Sequence, residues 1–413
     1  MSKTVTIVLA GIGGYGDTYL GELLAAPPER NVQIAGAVDP QPERSPHLDE
    51  VRRRGIPLFP DLASFYAQAA ADLTVISAPI HLHCPLTCLA LSRGSSVLCE
   101  KPLCATVQEA AEMAEAEEKA GRFVAIGYQW SFSPAIQALK RDVMAGEFGR
   151  PVRLKTVLIW PRKKSYYNRS PWAGAMKSSD GRWVLDSPVN NATAHYLHNM
   201  FYILGDARDT SARLAEVRAE LYRANPIENY DTAALRCRTE SGAEILFYST
   251  HAVSSAVGPL FRYEFEKGVI QYGPDHSEPI VARLHDGRIR EYGDPNGDVF
   301  NKLWHSVESV RGGAPLACGI RAALPHTLCM NGAQDSVKAI AAFPAELVKV
   351  EEDPSGDSLT WVEGLQETFI QCYDEGILPA EHGVLKWARA GRTVSLRRYR
   401  FFPGGKPRRT TPL

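Results

Sequence analysis

Glu100 and Lys101 are the charged pair whose place in the sequence first suggests chemistry. They follow an apolar run at residues 97–99, which suits a strand buried on both faces of a parallel sheet. Ligands of doubly wound sheets bind beyond the carboxyl ends of such strands. The sequence therefore predicts that Glu100 and Lys101 face a bound cofactor, and the alternative is a solvated strand end followed by a turn at Pro102.

A glycine-rich turn between a strand and a helix supplies the second candidate site. Residues 4–10 form an apolar run, and the pattern G-x-G-x-x-G then leads into a helical pattern that ends at Pro27. Backbone amides at such a helix start can hold the pyrophosphate of a dinucleotide. The residues of this predicted cofactor loop are Gly11, Gly13, Gly14, Tyr15 and Gly16.

Asp39 ends the next predicted strand, where a carboxylate can accept hydrogen bonds from a ribose diol. A carboxylate also repels the 2′-phosphate of NADP, so the sequence predicts NAD as the cofactor. Arg44 lies close enough in sequence to weaken that preference, and the alternative for Arg44 is a solvated helix residue.

Ser77, Ala78 and Pro79 end a further predicted strand and should line the nicotinamide side of the cofactor. His81 and His83 follow in what the pattern predicts to be the same loop. His83 is therefore a candidate cofactor contact, and the alternative for both histidines is an ordinary surface loop.

The segment at residues 161–183 combines cations and aromatic rings without a helical or alternating period. Aromatic faces stack on sugar rings, and cationic side chains bind hydroxyl, carboxylate or sulfonate groups. The segment predicts a loop that binds a glycoside with an acidic substituent, and the alternative is a solvated surface loop. Its members are Arg162, Lys163, Lys164, Tyr166, Tyr167, Arg169, Trp172 and Trp183.

The elements that must position these residues alternate between strand and helix over the first 126 residues, which predicts a parallel sheet with helices on its faces. Later runs are separated by turns at residues 241–242, 267–268 and 286–287, which predicts hairpins in an antiparallel sheet. The expected α/β chain has a Rossmann domain at residues 1–126. A substrate-binding and oligomerisation α+β domain follows at residues 127–344, with an extension at residues 345–413.

Five motifs in this order resemble the glucose-fructose oxidoreductase, inositol dehydrogenase and MocA (Gfo/Idh/MocA) family: GIGGYG, VDP, SAPIHLH, EKP and IGYQWSFSP. The resemblance implies a Rossmann domain, a second domain with a large open, mostly antiparallel sheet, and homodimers or homotetramers formed through that sheet. It also implies that Lys101 contacts the reacting hydroxyl and that the proline after it is often cis. Gln129 would contact the cofactor and Tyr128 the substrate. Ile80 departs from the family pattern, which usually has asparagine there.

His195 lies where the resemblance places the catalytic histidine. Asn191 occupies the position of the aspartate that accompanies this histidine, and an amide orients a ring without supplying charge. Asp186 could take over if the backbone bulges, and Asp186 and Asn190 are candidates for substrate contact. His198 lies one helical turn from His195, but no acidic or cysteine pair accompanies them, so the sequence predicts no metal.

Composition narrows the class of partner. The 413 residues include 46 basic and 47 acidic side chains, so a net charge of -1 produces no field that attracts nucleic acid or an anionic membrane. Eight cysteines without a CxxC pair suit the reduced thiols of a cytosolic protein, and no apolar run is long enough to span a membrane. We expect a cytoplasmic protein with a small carbohydrate substrate.

The predicted function is NAD-dependent oxidation of a hydroxyl group of a sugar, cyclitol or glycoside, with Lys101 as hydrogen-bond donor and His195 as base. The alternative is glycoside cleavage by transient oxidation at C3, elimination and re-reduction. A non-catalytic NAD-binding sensor is the third possibility, and the presence of Lys101 and His195 argues against it.

Overall fold

The computed structural model describes residues 3–273 and 279–405. Its strands are Val5–Ala10 (β1), Val32–Val38 (β2), Leu58–Phe59 (β3), Leu73–Ile76 (β4), Ser96–Cys99 (β5), Val124–Ile126 (β6), Pro151–Ile159 (β7), Leu214–Arg223 (β8), Thr232–Thr239 (β9), Glu244–Thr250 (β10), Val257–Phe265 (β11), Gly268–Tyr272 (β12), Val281–Leu284 (β13), Ile289–Glu291 (β14), Ala341–Ala342 (β15), Val348–Glu352 (β16), Ser358–Val362 (β17) and Val394–Ser395 (β18). Its helices are Tyr15–Leu24 (α1), Leu48–Arg53 (α2), Leu62–Tyr66 (α3), Ile80–Ser92 (α4), Val107–Ala120 (α5), Pro134–Met144 (α6), Lys164–Asn168 (α7), Ala194–Tyr202 (α8), Asn301–Val310 (α9), Ile320–Ser336 (α10) and Leu365–Glu375 (α11).

The chain divides into two compact units. Unit 1 contains the residues up to Cys104 together with Glu109–Ser133 and Asn296–Ala323. Unit 2 contains Ala105–Gln108, Pro134–Pro295 and the residues from Leu324 onward. Sequence patterns predict consecutive domains, whereas the segment with α9 returns to unit 1. It does so because α9 supplies a buried lysine, Lys302, that pairs with Glu100 of the same unit.

Unit 1 is built on a six-stranded sheet in the order β3-β2-β1-β4-β5-β6, and its strands pair in parallel. The chain order reverses between β1 and β4, and open α/β sheets bind their ligands at such a point. β4, β5 and β6 are buried along their whole length, as their continuous apolar sequences require. The predicted Rossmann fold is confirmed.

Unit 2 is built on a ten-stranded sheet in the order β14-β13-β12-β11-β7-β10-β9-β8-β15, with β18 paired to β8. Most neighbours are antiparallel, but β7 pairs in parallel with β10 and β15 in parallel with β8. Tight turns join β9 to β10 and β11 to β12, at the positions where glycine-containing turns predict hairpins. The predicted large, mostly antiparallel sheet is confirmed.

Residues 345–405 are here called the extension. Its helix α11 packs on one face of the unit 2 sheet, and its strand β18 pairs with β8. Helix α11 presents Phe369 and Cys372 to Leu246 and Tyr248 of β10 in a shared apolar core. The hydroxyl of Tyr248 donates to the carbonyl oxygens of Cys372 (3.0 Å) and Ile377 (2.7 Å). The amphipathic pattern of this helix thus reflects burial against the sheet.

Within the described part of the chain, the helices are too short or too polar to cross a bilayer.

Candidate functional site

The glycine-rich turn lies between β1 and α1, at the carboxyl end of the unit 1 sheet. Gly11 has a φ of +90°, and a Cβ there would lie 2.1 Å from the carbonyl oxygen of Ser77. A Cβ on Gly16 would lie 2.0 Å from the carbonyl oxygen of Gly11. Only glycine fits at these two positions, because the turn packs directly on its own backbone and on the end of β4.

Asp39 follows β2 and faces the same turn. Its Oδ2 accepts hydrogen bonds from the amides of Ile12 (2.9 Å) and Gly13 (3.2 Å), and its Oδ1 accepts from Gln41 (2.8 Å). Arg44 is also close, because a Cβ on Gly13 would lie 3.4 Å from the Cβ of Arg44. A carboxylate held beside glycine amides fits the ribose and pyrophosphate of a dinucleotide.

Residues 77–79 follow β4, and α4 begins directly after them at Ile80. The prediction that His81 and His83 lie in a loop is therefore wrong. Pro85 lies inside α4, in its second turn, where it lacks the amide that would donate to the carbonyl oxygen of His81. Helix α4 thus brings the first turn of its side chains to the carboxyl end of the sheet.

His83 joins two parts of this region. Its Nδ1 lies 2.7 Å from the carbonyl oxygen of Pro102, and its Nε2 lies 2.9 Å from that of Ala78. Burial lowers the pKa of His83 and outweighs the two carbonyls, which favour the protonated ring. Because both ring nitrogens face backbone, the geometry favours His83 as a residue that positions Ala78 and Pro102.

Glu100 is buried and forms an ion pair with Lys302 of α9, which is also buried. Glu100 also accepts a hydrogen bond from the hydroxyl of Tyr19 at 2.6 Å, and Lys302 donates to the hydroxyl of Tyr15 at 3.1 Å. Burial raises the pKa of Glu100, but the ammonium groups of Lys302 and Lys101 lower it below its usual value. Glu100 therefore stays charged inside unit 1.

Lys101 follows this pair, is partly exposed and precedes a cis peptide bond to Pro102. Lys302 forms the direct ion pair with Glu100, and the Lys101 ammonium also favours the charged form of this carboxylate. No feature of the sequence distinguishes Lys302 from a solvated helix lysine. The nearby Tyr128 is fully buried, which raises its pKa, and Gln129 is partly exposed.

In unit 2 the predicted irregular loop contains the short helix α7, so the expectation of no regular structure is wrong for residues 164–168. The extension fixes this helix. Lys163 Nζ lies 2.5 Å from Asp353 Oδ2, and the amide of Ser165 donates to Asp357 Oδ1 at 3.0 Å. Lys163, predicted to bind substrate, is thus already paired with a carboxylate.

Arg169 and Arg162 both pack on the ring of Tyr166. The guanidinium carbon lies 3.8 Å from the ring centroid for Arg169 and 5.2 Å for Arg162. Arg169 also lies 5.1 Å from the centroid of Trp172 and pairs with Asp186 at 3.5 Å. Arg162, Tyr166, Arg169 and Trp172 therefore form one cluster, whereas Trp183 packs against Phe402 with 5.0 Å between ring centroids. Tyr167, beside Tyr166 at 5.3 Å between ring centroids, belongs to the cluster.

His251, at the end of β10, borders the same cluster, with its ring 5.6 Å from that of Tyr166. Its Nδ1 lies 2.8 Å from the carbonyl oxygen of Trp160, so Nδ1 carries the proton and Nε2 carries the lone pair. Nε2 is buried without a hydrogen-bond partner among the described residues. Burial and then the charge of Arg162 lower the pKa of His251 to about 3, so this histidine is a neutral acceptor. From sequence alone an ordinary sheet residue is the favoured interpretation of His251.

Asp186 connects the cluster to the segment before α8. Its Oδ2 accepts a hydrogen bond from the amide of Gly174 (2.7 Å), and its Oδ1 accepts from Asn191 Nδ2 (2.8 Å). Asp186 is thus hydrogen-bonded to Asn191, the residue at the position of the expected aspartate. Asn190 donates to the carbonyl oxygen of Leu185, whose φ is +53°, at 3.1 Å.

His195 lies in the first turn of α8 and is partly exposed. His198 is fully buried and stacks on Tyr202 with 5.6 Å between ring centroids. Burial lowers the pKa of His198 well below its usual value. The two histidines therefore occupy different environments, and His195 is the one that solvent reaches.

Comparison with known proteins agrees with the fold. Residues 5–128 match the family model GFO_IDH_MocA, described as an oxidoreductase family with an NAD-binding Rossmann fold. Inositol 2-dehydrogenase 1 of Saccharopolyspora erythraea is 30% identical over 162 residues, which are 38% of this chain and 46% of that protein. The inositol 2-dehydrogenase of Rubrobacter xylanophilus is 31% identical over 37% of this chain and 43% of its own. The chain spans about half the length of the curated relatives it matches.

Two solved structures extend the likeness to both units. The WlbA dehydrogenase from Bordetella pertussis, in complex with NADH and UDP-GlcNAcA, has a TM-score of 0.65 and 21% identity over 81% of this chain and 98% of its own. An inositol dehydrogenase homologue from Azotobacter vinelandii, complexed with NADH and myo-inositol, has a TM-score of 0.62 and 16% identity over 80% and 96%. At these identities the likeness shows the fold. The predicted NAD-binding Rossmann domain is confirmed by the family match.

Proposed function

We propose, because residues 5–128 match the model of the Gfo/Idh/MocA oxidoreductase family, that the chain oxidises a hydroxyl group of a sugar, cyclitol or glycoside with NAD+. The observation that carries the proposal is the meeting of three features at the carboxyl end of one parallel sheet. These are the glycine-rich turn, the carboxylate of Asp39 and the ammonium of Lys101. When bound at this edge, NAD+ supplies the hydride acceptor.

Lys101 would donate a hydrogen bond to the reacting oxygen. Its ammonium is partly exposed, and the buried pair of Glu100 and Lys302 beneath it holds the preceding residue in place. An ammonium stabilises the negative charge that develops on this oxygen more strongly in the transition state than in the ground state.

His195 would accept the hydroxyl proton. Asn191 stands four residues before it and is bound to the carboxylate of Asp186. Asp186 is a carboxylate hydrogen-bonded to Asn191, and it also pairs with Arg169. We expect Asp186 and Asn191 to act as positioning residues for this region, and His195 as the base.

We further propose that the substrate carries an anionic group next to a hydroxyl. Arg162 offers a guanidinium group, which binds carboxylates strongly, and the neighbouring Arg169 already pairs with Asp186. His251 lies within their field and is a neutral acceptor, so its partner must be a donor such as a hydroxyl. A uronic acid presents both groups, with its carboxylate attached to C5 and a hydroxyl on the neighbouring C4.

The experiment is a substrate panel with matched pairs. Purified protein would be incubated with NAD+ and glucuronate, galacturonate, glucose, galactose, myo-inositol and the methyl glycosides of the four sugars. NADH absorbance and product chromatography would be followed together. We expect NADH to form fastest with a uronate. Failure of the whole panel to react would contradict the proposal. Loss of a glycoside without accumulation of NADH would favour the oxidation–elimination route.

Arg162→Gln tests the substrate class within the same panel. We expect it to raise KM for the uronate at least about tenfold more than for the neutral sugar, because only the uronate loses a charge-assisted hydrogen bond. Lys164→Gln is the matched control, since Lys164 belongs to the same segment and is exposed. Lys163 is left unchanged in these variants, because its ion pair with Asp353 holds α7 in place. Equal effects on both substrates would reject the acidic substrate.

A further inference from the structure

Two thiols and a carboxylate of unit 1 lie together on neighbouring helices. Cys84 and Cys88 are one turn apart on the same face of α4, and Glu112 comes from α5. One ligand atom from each residue lies within 4.8 Å of the other two. Cys84 is 3% exposed, Cys88 is half-buried and Glu112 is exposed, so solvent reaches the cluster from one side.

The two thiols are chemically unequal. The Cys84 thiol is buried and donates a hydrogen bond to the carbonyl oxygen of Glu109 at 3.6 Å. The more accessible sulfur is that of the half-buried Cys88. Thiolates are the form of cysteine that binds metal ions.

We propose that Cys84, Cys88 and Glu112 form a binding site for a thiophilic divalent cation such as Zn²⁺. Zinc–sulfur bonds of about 2.3 Å and zinc–oxygen bonds of about 2.1 Å place tetrahedral ligand atoms about 3.5–3.8 Å apart. The cluster must therefore contract by about 1 Å, which the exposed Glu112 side chain can achieve by rotation. A water molecule can take the fourth position from the solvent side. Two sulfur ligands favour zinc or cadmium over magnesium or calcium.

Binding transfers protons and no electrons. Each cysteine exchanges its S–H proton for a bond to the cation, and the protons pass to the buffer. The ion would join α4 to α5 across the surface of unit 1. Helix α4 also carries His83, whose ring lies 2.7 Å from the carbonyl oxygen of Pro102, next to Lys101. A bound cation would therefore restrain the helix that positions this segment.

A second thiol pair provides the matched control. Cys237 and Cys329 of unit 2 have their sulfur atoms 3.2 Å apart and are fully buried. Among the described residues, they do not belong to a group of three possible metal ligands, whereas Cys84 and Cys88 do. A cation that simply prefers paired thiols would not distinguish the two pairs, but one that needs an accessible carboxylate would.

The test is calorimetric titration of the untagged, phosphine-reduced full-length protein with ZnCl₂ in two buffers of different protonation enthalpy. We expect one ion per chain, with proton release. Cys88→Ser should weaken binding at least about 100-fold and Glu112→Gln at least about tenfold. Cys237→Ala should bind like the parent. Cd²⁺ titration should give a thiolate-to-metal absorption band in the parent and not in Cys88→Ser.

Several outcomes would overturn the proposal. Parent protein that binds no Zn²⁺, Cys88→Ser that binds with parental affinity, or Glu112→Gln with unchanged affinity would each do so. If the reduced protein binds no Zn²⁺ but diamide forms a Cys84–Cys88 disulfide, the pair is an oxidisable dithiol instead of a metal site. Circular dichroism of each variant checks that lost binding does not come from lost folding, and Cys88 is exposed enough to tolerate serine.

Discussion

At the scale of single residues, Glu100 and Lys302 form a buried ion pair whose role is to stabilise the fold rather than to take part in the reaction. Lys302→Met should lower the free energy of unfolding by about 3–5 kcal/mol, because it leaves the Glu100 carboxylate buried without a countercharge. The double variant Glu100→Gln/Lys302→Met should recover part of that loss. Urea unfolding curves of the three proteins measure it. A double variant less stable than Lys302→Met would argue against the pair as described.

Lys101 gives the opposite expectation, because it is partly exposed and the direct ion pair of Glu100 is with Lys302. Lys101→Ala should keep the urea midpoint and the NADH dissociation constant near those of the parent while kcat falls by about 100-fold or more. NADH fluorescence titration and steady-state rates separate the two effects. Near-parental turnover would favour the alternative interpretation, in which residues 100–102 are a solvated strand end followed by a turn.

Asp39 is the residue on which cofactor choice depends. Asp39→Ala should reduce the preference for NAD over NADP, since it removes a carboxylate that accepts from Ile12 and Gly13 and would face a 2′-phosphate. With Arg44 beside the same turn, the variant should gain NADP affinity, and Asp39→Ala/Arg44→Ala should lose that gain. Binding constants for both cofactors test it. Equal affinities in the parent would contradict the role of Asp39.

How far the site can be predicted from sequence depends on whether a residue acts within its own segment. Asp39 and the glycines are recognisable because strand, turn and helix follow one another along the chain. Lys302 and Asp353 are not, because their partners Glu100 and Lys163 lie about 200 residues away and no local pattern marks the contact. His251 is recognisable as a candidate, but its tautomer depends on Trp160, which only the paired strands bring near.

At the scale of elements, the extension meets β8 through a carboxylate that titrates near neutrality. Glu220 is buried and accepts hydrogen bonds from the hydroxyl of Tyr222 (2.5 Å) and the amide of Ala380 (3.1 Å). Burial raises its pKa to about 7. Between the usual carboxyl pKa of about 4.3 and this value, the folded chain holds a proton that the unfolded chain has lost. The contribution of Glu220 to stability therefore falls as the pH rises through this window.

The variant Glu220→Gln should remove this loss of stability with rising pH. Relative to the parent, the variant should gain stability between about pH 5 and about pH 8, by at most about 3 kcal/mol. Glu216→Gln, on the same strand but partly exposed, is the control and should follow the parent. Urea midpoints at the two pH values measure the difference. If the urea midpoints of Glu220→Gln and of the parent change by the same amount between the two pH values, Glu220 does not titrate in this window.

The elements that the sequence patterns place incorrectly are held by contacts with other parts of the chain, which local patterns do not show. Helix α4 includes Pro85, which disfavours a helix locally, because burial of Ile80, Cys84 and Leu91 holds the helix in place. Helix α7 has no apolar period, because hydrogen bonds and an ion pair to the extension hold it rather than a buried face. The long strands and α11 are predicted correctly, because burial of one face imposes a period on the sequence.

At the scale of the whole molecule, the extension changes which surfaces unit 2 presents. The resemblance implies assembly through the large sheet, but α11 covers the faces of β7 and β10 that carry Val157 and Tyr248. Homodimers or homotetramers remain a prediction, and assembly through these strand faces would require α11 to leave. The extension therefore competes with any partner for the same apolar surface.

Phe369→Asp tests this competition in the full-length chain. Phe369 is fully buried against the sheet, so a charge there should destabilise the docked helix by about 3 kcal/mol or more and expose the apolar faces of β7 and β10. We expect concentration-dependent self-association in light scattering and an early transition on urea unfolding, neither seen in the parent. Gln371→Asp adds the same charge on the exposed side of α11 and should behave like the parent. If Phe369→Asp keeps the parental mass and a single transition, α11 contributes little to covering the sheet, and assembly through that face becomes the better expectation.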